Sequence, residues 1–549
     1  MNLENQLLRA IAVTPLADRL DLVALTGWSR GGVYGGVRML VDAGLAESVP
    51  HSSPVLPPTR RFMPTAEGLR RLADIERVDF DDMLRNCPVS EEYRRLLLAR
   101  LDAVAVTYRV ACALSDVARP LKVVWRRGEP QDADLVLPGE TVLQVVRLGR
   151  AADRTSTAKR LWRLFETAGG SAVLVLAPDE VRVRHTRRLL ARSPGVAFIA
   201  LESGAAHATA DDPVWAMPSA ASPIDLRAIV QIIGPAPPPA GETGRERSNA
   251  PDKIDVERAD HEGPAWLLPA VLKPSEKNAV DIVLDWPWIA PDHLGALLGV
   301  GRSRTSQLLK RLCRLGIVER FRIAGGTALA VTDRGIALVG RRDRVSIGAL
   351  KKRLSVARGS YDENLDWRAV SGRRTRQLLR NVEHTRAVHS FTAMLARQAR
   401  SRSLEIVQID PPARASRYFR LKAALRSVQP DAYFAIRLGN QLCPFFLEWE
   451  RRAVRPATMA ARIAPYIRYY STRGPLDDHG AEPVVMIVFE DRVAQSRFLG
   501  VAREEMERAG VRVPLLVSRR SMIGEHGPLG RVWIPADGGM LQHPFTRVR

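Results

Sequence analysis

The strongest constraint on this chain is that it repeats itself in a fixed order. Residues 16–45, LADRLDLVALTGWSRGGVYGGVRMLVDAGL, and residues 289–317, IAPDHLGALLGVGRSRTSQLLKRLCRLGI, share one plan. Each has a short helix with paired apolar residues, a Gly-containing turn, a Ser-Arg start to a second helix and a closing apolar step to Gly-Leu or Gly-Ile. Downstream, RRFMPTAEGLRRL (60–72) parallels ALAVTDRGIALVG (328–340), a strand followed by a Thr-x-x-Gly helix start. Further on, SAVLVLAPDEVRVRHTRRLLARSPGVAFIALE closes at Val214-Trp215, and PVVMIVFEDRVAQSRFLGVAREEMERAGVRVPLLVS closes at Val532-Trp533. Four matches in the same order point to a duplicated supersecondary plan. Between the halves, 234–265 is rich in Pro, Gly and charge without periodicity and reads as a linker.

In the second half, Ser303 is placed to cap a helix running to about Leu315, where Gly316 ends it. Leu308, Leu309 and Leu312 mark one buried face. The other face presents Arg302, Arg304, Thr305, Gln307, Lys310, Arg311 and Arg314. The segment IVERFRIAGGTALAVT then alternates as a hairpin with Gly325-Gly326 at its tip. Helix, turn, recognition-type helix and hairpin predict a winged helix-turn-helix that reads duplex DNA, or that serves as a protein-interaction module. The first half is expected to be the weaker reader. Gly31, Gly32, Gly35 and Gly36 interrupt its helix, leaving Arg30, Tyr34 and Arg38 to project, with Arg60 and Arg61 of its wing as phosphate contacts.

Charge agrees with a polyanionic partner. The chain carries 82 Lys and Arg against 60 Asp and Glu, a formal charge of +22. Phosphate contacts that release condensed counterions are the commonest use of such a surplus, although an Arg-rich composition also follows from a GC-rich genome. The four cysteines, Cys87, Cys112, Cys313 and Cys443, stand apart from one another and from His at zinc spacing. That argues against a structural zinc or a disulfide scaffold and suits a reducing cytoplasm. MNLENQLLRA has no apolar run for a signal peptide, and the longest apolar stretches are strand-sized.

A candidate reaction centre lies in 428–452. Pro430-Asp431 opens a strand, Gly439-Asn440 turns it, and FFLEWE returns. Alternation puts Glu448 and Glu450 on one face and Trp449 on the other. Asp431, Glu448 and Glu450 are therefore expected to converge as hard oxygen ligands for Mg²⁺ or Mn²⁺, the ions such a site would use if active, with no cofactor otherwise. In the first half, QDADLVLPGETVLQVVRLGR (131–150) keeps Asp134 but has Val145, Val146 and Arg147 where acids are needed. The helix MAARIAPYIRYYSTR gathers Arg462, Tyr466, Tyr469 and Tyr470, as core and phosphate contacts or as a transesterification nucleophile. His384 and His389 read as helix-packing or phosphate-contact residues.

Pro430-Asp431 followed by Glu448-x-Glu450 resembles the PD-(D/E)XK nuclease fold, with Glu in place of its usual Lys. The order of winged helix, EHTRAVHSFTAML helix, PDAYF strand, FFLEWERR strand and Tyr/Arg helix over about 280–510 is similar to the replication-relaxation family of plasmids and integrative elements. In that family the second strand typically reads Glu-Val-Asp-Arg, so Glu448, Glu450 and Arg451 match as acid, acid and base. Strand parity makes Arg452 the better stand-in for the missing Lys. The resemblance implies DNA processing in plasmid replication or conjugal transfer.

The whole reading is an α/β and α+β multidomain protein. A winged helix (1–78) precedes a degenerate nuclease-like α/β domain (79–232), a linker (233–275), a second winged helix (276–345) and a helical extension with a restriction-endonuclease-like α/β domain (346–549). Duplex DNA is the expected partner, with other replication or transfer proteins as further candidates, no membrane, and no oligomeric state specified. The alternative to metal-dependent cleavage or nicking is a non-enzymatic DNA-binding regulator or replication accessory factor.

Overall fold

The computed structural model describes residues 3–128, 130–167, 170–193, 195–220, 222–234, 249–258, 263–356, 364–450 and 455–546. The protein is a mixed α/β chain with several sheets, and it divides into two compact units. The first comprises residues 1–278 with 314–316 and 334–350; the second comprises 279–313, 317–333 and 351–549. Among the described residues no helix is long and apolar enough to cross a membrane.

The first unit begins with helices α1 (Leu3–Val13), α2 (Arg19–Thr26) and α3 (Arg30–Asp42), then strands β1 (Ala46–His51) and β2 (Thr59–Pro64), which pair antiparallel. Asp18 caps α2 in a reciprocal capping box with Asp21, and Gly27 ends it at φ +74°. Ser29 caps α3 by accepting from the Gly32 amide. Two of the four helix glycines have a packing reason. A Cβ on Gly36 would sit 2.7 Å from Leu7 of α1 and one on Gly32 would sit 3.2 Å from the capping Ser29 hydroxyl, whereas Gly31 and Gly35 face open space. Arg61 of β2 is buried and donates to Asp21 at 3.0 Å and to the Leu16 carbonyl at 2.8 Å, so it is a core ion pair, not the phosphate contact its sequence position suggested.

The first unit then builds α5 (Leu101–Ser115), β3 (Lys122–Trp125), β4 (Ala133–Val136), β5 (Val142–Arg147), α6 (Arg154–Thr167), β6 (Ala172–Ala177), α7 (Glu180–Leu190) and β7 (Ala197–Leu201), with α4 (Ala66–Glu76) leading in. The strands form one sheet in chain order; β3, β4 and β5 run antiparallel, and β5, β6 and β7 parallel. Parallel pairs need crossover helices, which α6 and α7 supply. Of the expected linker, residues 235–248 and 259–262 lie outside the described ones. Parts of the remainder are anchored: the Glu91 amide donates to the Asn249 carbonyl, the Ile254 amide to Glu47, and Leu268 is buried.

The second unit contains α8 (Pro291–Leu298), α9 (Arg302–Arg314) and a hairpin of β8 (Val318–Ile323) and β9 (Gly326–Val331). The hairpin turns through Ala324 and Gly325, both at positive φ, one residue before the expected tip. The first helical residue of α9 is Arg302, so Ser303 sits inside the first turn rather than capping it; Gly316 follows at φ +64°. Then come α10 (Val382–Ser401), β10 (Glu405–Asp410), a ribbon of β11 (Arg417–Leu421) and β12 (Ala424–Val428), and β13 (Ala432–Leu438). They are followed by β14 (Gln441–Glu450), α11 (Pro456–Tyr470), β15 (Val484–Phe489), α12 (Arg492–Ala509), β16 (Leu515–Arg519) and β17 (Ile534–Pro535). Strands β10, β13, β14, β15, β16 and β17 form the sheet in that order. Its directions run antiparallel, antiparallel, parallel, parallel, antiparallel, so its first five strands repeat the layout of the first sheet. Phe391 of α10 meets Phe434 and Trp449 on one face, and Tyr466 of α11 meets Phe446 on the other. The sheet is thus covered on both sides, as a strand with the buried run VVMIVF requires.

Candidate functional site

The turn Gly439-Asn440 joins β13 to β14 with Leu438 opposite Gln441. That register carries back to Ala432 opposite Leu447, and the Asp431 amide donates to the Leu447 carbonyl at 2.8 Å. Asp431 therefore stands across from Glu448 at the carboxyl end of β14. Its Oδ2 accepts from the Trp449 amide at 2.8 Å and lies 3.2 Å from His384 Nε2, which also lies 3.1 Å from the Trp449 carbonyl. Two acceptors around Nε2 make it the protonated nitrogen of the ring. Burial pulls the His384 pKa down, but Asp431, the Trp449 carbonyl and Glu448 together outweigh it and the net shift is upward.

Glu448 points to the opposite side of the sheet from Trp449 and is buried. Its Oε1 accepts from the Tyr466 hydroxyl at 2.6 Å, and its Oε2 lies 3.7 Å from Arg462 Nη1. Burial, then the charge of Asp431, pushes its pKa up to about 8, against the pull of Arg462 and of the Tyr466 hydroxyl. A carboxyl group held half-neutral near pH 8 beside an acid, a phenol and a guanidinium has the environment of a functional site more often than of plain packing. Glu450 shares Glu448's face and accepts from Arg462 Nε at 2.8 Å and Nη2 at 2.6 Å. Asp431, Glu448 and Glu450 are thus neighbours. Yet among the described residues no group of three or more His, Cys, Asp or Glu side chains is placed to hold a metal ion. The expected three-carboxylate ligand set is not among the described groups, and Glu450 is paired with Arg462. Arg452 and Arg451 lie outside the described residues.

Arg462, Tyr466 and His384 are the site residues that strand reasoning left out of the centre. They enter from the crossover helix α11 and from α10, and Arg462 and Tyr466, four residues apart, share one helix face. The three tyrosines of α11 are not poised as nucleophiles. Tyr466 donates to Glu448, Tyr469 donates to Asp478 at 2.6 Å, and the Tyr470 hydroxyl donates to the Pro483 carbonyl. Burial drives all three pKa values well above the ordinary 10. His389 is a core residue, buried 5.5 Å edge-on to Trp286, with its pKa lowered to about 3 by burial.

The matching place in the first sheet is set by register. The Asp132 amide donates to the Val145 carbonyl at 2.8 Å and its Oδ2 accepts from the Arg147 amide at 2.7 Å, the same pair of bonds that Asp431 makes. Asp132, not Asp134, is therefore the counterpart of Asp431; Asp134 faces Gln144 and pairs with Arg126 at 2.6 Å. Opposite Asp132 stands Val146, which packs with Leu148 and Leu164 in an apolar cluster. Arg160 of α6 lies 2.9 Å and Arg344 lies 3.0 Å from the Asp132 carboxylate. Burial raises the Asp132 pKa, but these two cations and Arg100 overcome it and hold it far below the carboxylate range.

On the helix α9, Arg302, Arg304, Gln307, Lys310 and Arg314 are exposed and Arg311 is half-buried. Thr305 departs from expectation: it is buried, its hydroxyl donating to the Gly301 carbonyl at 3.0 Å. A Cβ on Gly295 would come within 2.6 Å of that hydroxyl, so Thr305 sits at the close crossing of α8 and α9. On α3, Arg30 and Arg38 are exposed, and Arg38 lies 3.6 Å from Asp42.

Residues 291–485 match the family described as replication-relaxation. No curated protein and no solved structure matches the chain significantly.

Proposed function

We propose, from the match of residues 291–485 to the replication-relaxation family, that this chain is a cytoplasmic DNA-binding protein of a mobile element that acts in plasmid replication or conjugal transfer, and that its second sheet cleaves or nicks DNA. The observation that carries the cleavage step is the cross-strand pair of Asp431 and buried Glu448, with the Glu448 pKa raised to about 8 beside Arg462 and Tyr466. The winged helix-turn-helix reading of α8, α9 and the β8–β9 hairpin supplies site recognition through Arg304 and Gln307. The first half, read as a duplicate, adds non-specific grip.

A divalent cation fits this donor set as a two-carboxylate site. Mg²⁺ keeps several waters and is commonly held by one or two carboxylates plus substrate phosphate, so a third protein ligand is not required. Asp431 and Glu448 present hard oxygens, and a cation would offset the burial and the Asp431 repulsion that together raise the Glu448 pKa. When bound, Mg²⁺ or Mn²⁺ would supply a water of lowered pKa and charge for the leaving phosphate oxygen. The chain's own residues do the rest. Arg462 brings from a helix the positive charge that the strand position of the usual Lys does not provide. Tyr466 fixes the Glu448 rotamer, and His384 fixes that of Asp431.

Supercoiled plasmid carrying the element's own sequence, incubated with the protein in the presence and absence of Mg²⁺ or Mn²⁺, tests the proposal. Open-circular product that depends on the metal, and that is lost in Asp431→Asn and Glu448→Gln variants that still bind DNA, is the expected result. Binding with no strand interruption under either ion would sink the enzymatic reading and leave a DNA-binding accessory factor, which the capture of Glu450 by Arg462 also suits.

A further inference from the structure

The connection between the first two strands of the second sheet carries an element that the described residues of the first sheet's matching connection lack. In the first sheet β3 reaches β4 through residues 126–132; in the second, β10 reaches β13 through 411–431, which fold into the β11–β12 ribbon. Residues 411–430 contain no Asp or Glu and five cations: Arg414, Arg417, Arg420, Lys422 and Arg426. Two of these are structural. Arg414 pairs with Asp410 at 2.8 Å, and buried Arg417 lies over the Tyr433 ring at 4.8 Å and donates to His479 at 3.3 Å. The other three, Arg420, Lys422 and Arg426, are exposed and make no ion pair among the described residues. Lys422 forms the tip with Ala423, at φ +48° and +63°, a turn that favours Asn-Gly. Tyr418 is 51% exposed and Leu425 69%, and Arg420 faces Leu425 across the ribbon.

We propose that this ribbon is a DNA-backbone clamp that holds duplex DNA beside the Asp431–Glu448 centre, a role that rests on the cleavage reading above. Three uncompensated cations around exposed Tyr418 and Leu425 complement a phosphate backbone, and a two-stranded ribbon is narrow enough to enter a major groove. The ribbon is also tied to the site. Its other face packs Phe419 against Tyr469 of α11 at 5.2 Å, and α11 is the helix that carries Arg462 and Tyr466. Its second strand runs through buried Val428 and Pro430 directly into Asp431. At no more than about 3.4 Å per residue, Arg426 lies within roughly 17 Å of Asp431 and Lys422 within roughly 31 Å. The clamp therefore grips the flank of the scissile position and carries no base preference of its own.

The test is the salt dependence of binding to a random-sequence duplex, for the full chain and for R420Q/K422Q/R426Q. Each lost phosphate contact lowers the slope of log K against log salt by about 0.9. The triple variant is expected to lose about 2–3 in slope and at least tenfold in affinity at low salt, equally for every sequence, while R420K/R426K keeps the slope. A triple variant with unchanged slope and affinity, or one that weakens only single-strand binding, overturns the clamp and leaves the proposed function standing. Failure of the unmodified chain to bind any duplex overturns the proposed function, and the clamp with it. Should the triple variant show an altered unfolding transition, the tip substitution Lys422→Glu gives the same reading from one exposed side chain, with a slope loss of about 1 expected and no change overturning the clamp.

Discussion

The two sheets offer a comparison within one chain: one backbone arrangement with two different interiors. Asp132 and Asp431 make the same two backbone bonds in the same register. Arg160 of α6 and Arg462 of α11 occupy the same place, the seventh residue of each helix, and each pairs with an acid of its sheet, Asp132 and Glu450 respectively. What changes is the layer between them. Glu448, Glu450 and Tyr466 of the second sheet are replaced in the first by Val146, Leu148 and Leu164, all buried in one apolar cluster. Where the second sheet holds a buried carboxyl stabilised by a phenol, the first has a dispersion contact, and three arginines hold its aspartate in the charged form. The strand layout is therefore stable without its acids. The acids of the second sheet are a cost that the fold itself does not demand, which is the strongest physical argument that they serve chemistry.

That contrast can be broken or sharpened by substitution. The largest effect is expected from Val146→Glu, which puts an acid into the first sheet without a phenol partner. Burying it beside Leu148 and Leu164 should cost at least about 3 kcal/mol in urea unfolding. A loss under 1 kcal/mol would show that the first sheet still tolerates a polar site.

Next is the pH dependence of stability. Glu448 titrates at about 8 in the fold against an ordinary 4.5, so the folded protein holds a proton that the unfolded chain has released. Its contribution is full below about pH 4.5 and is lost as pH rises to about 8. Glu448→Gln should flatten that decline in unfolding free energy, and a variant with the wild-type pH profile would remove Glu448 as its source.

Asp132→Asn should cost about 1.5–3 kcal/mol by leaving Arg160 and Arg344 without their charged acceptor. Its unfolding midpoint in denaturant reads the change, and a neutral outcome would mean the aspartate is a relic with no structural work.

The smallest contrast lies in the two helices. Arg304→Ala with Gln307→Ala should lower affinity for the specific site at least tenfold and leave non-specific binding, since a good base contact is worth about 1–3 kcal/mol. Arg30→Ala with Arg38→Ala should change it less than about threefold. Footprints that reverse this order would make α3 the reader.

How much of this was written locally is clearest in those helices. Apart from Thr305, whose burial the sequence did not signal, the buried positions of α9, Leu308, Leu309 and Leu312, coincide one for one with Gly36, Val37 and Leu40 of α3. That periodicity, the turns at Gly316 and Gly439-Asn440, and the opposed faces of Glu448 and Trp449 depend only on residues a few steps apart, so the amino-acid sequence determined them. The tertiary structure decided the rest. Arg61 of strand β2 became a buried ion-pair partner because Asp21 of helix α2 reached it. Arg462 captured Glu450, and Tyr466 capped Glu448, because a crossover helix packs over that face. Alternation could not choose between Asp132 and Asp134, since both point to the same side of β4. A two-residue slip preserves the face of every side chain, and only the pairing register with β5 tells the two aspartates apart.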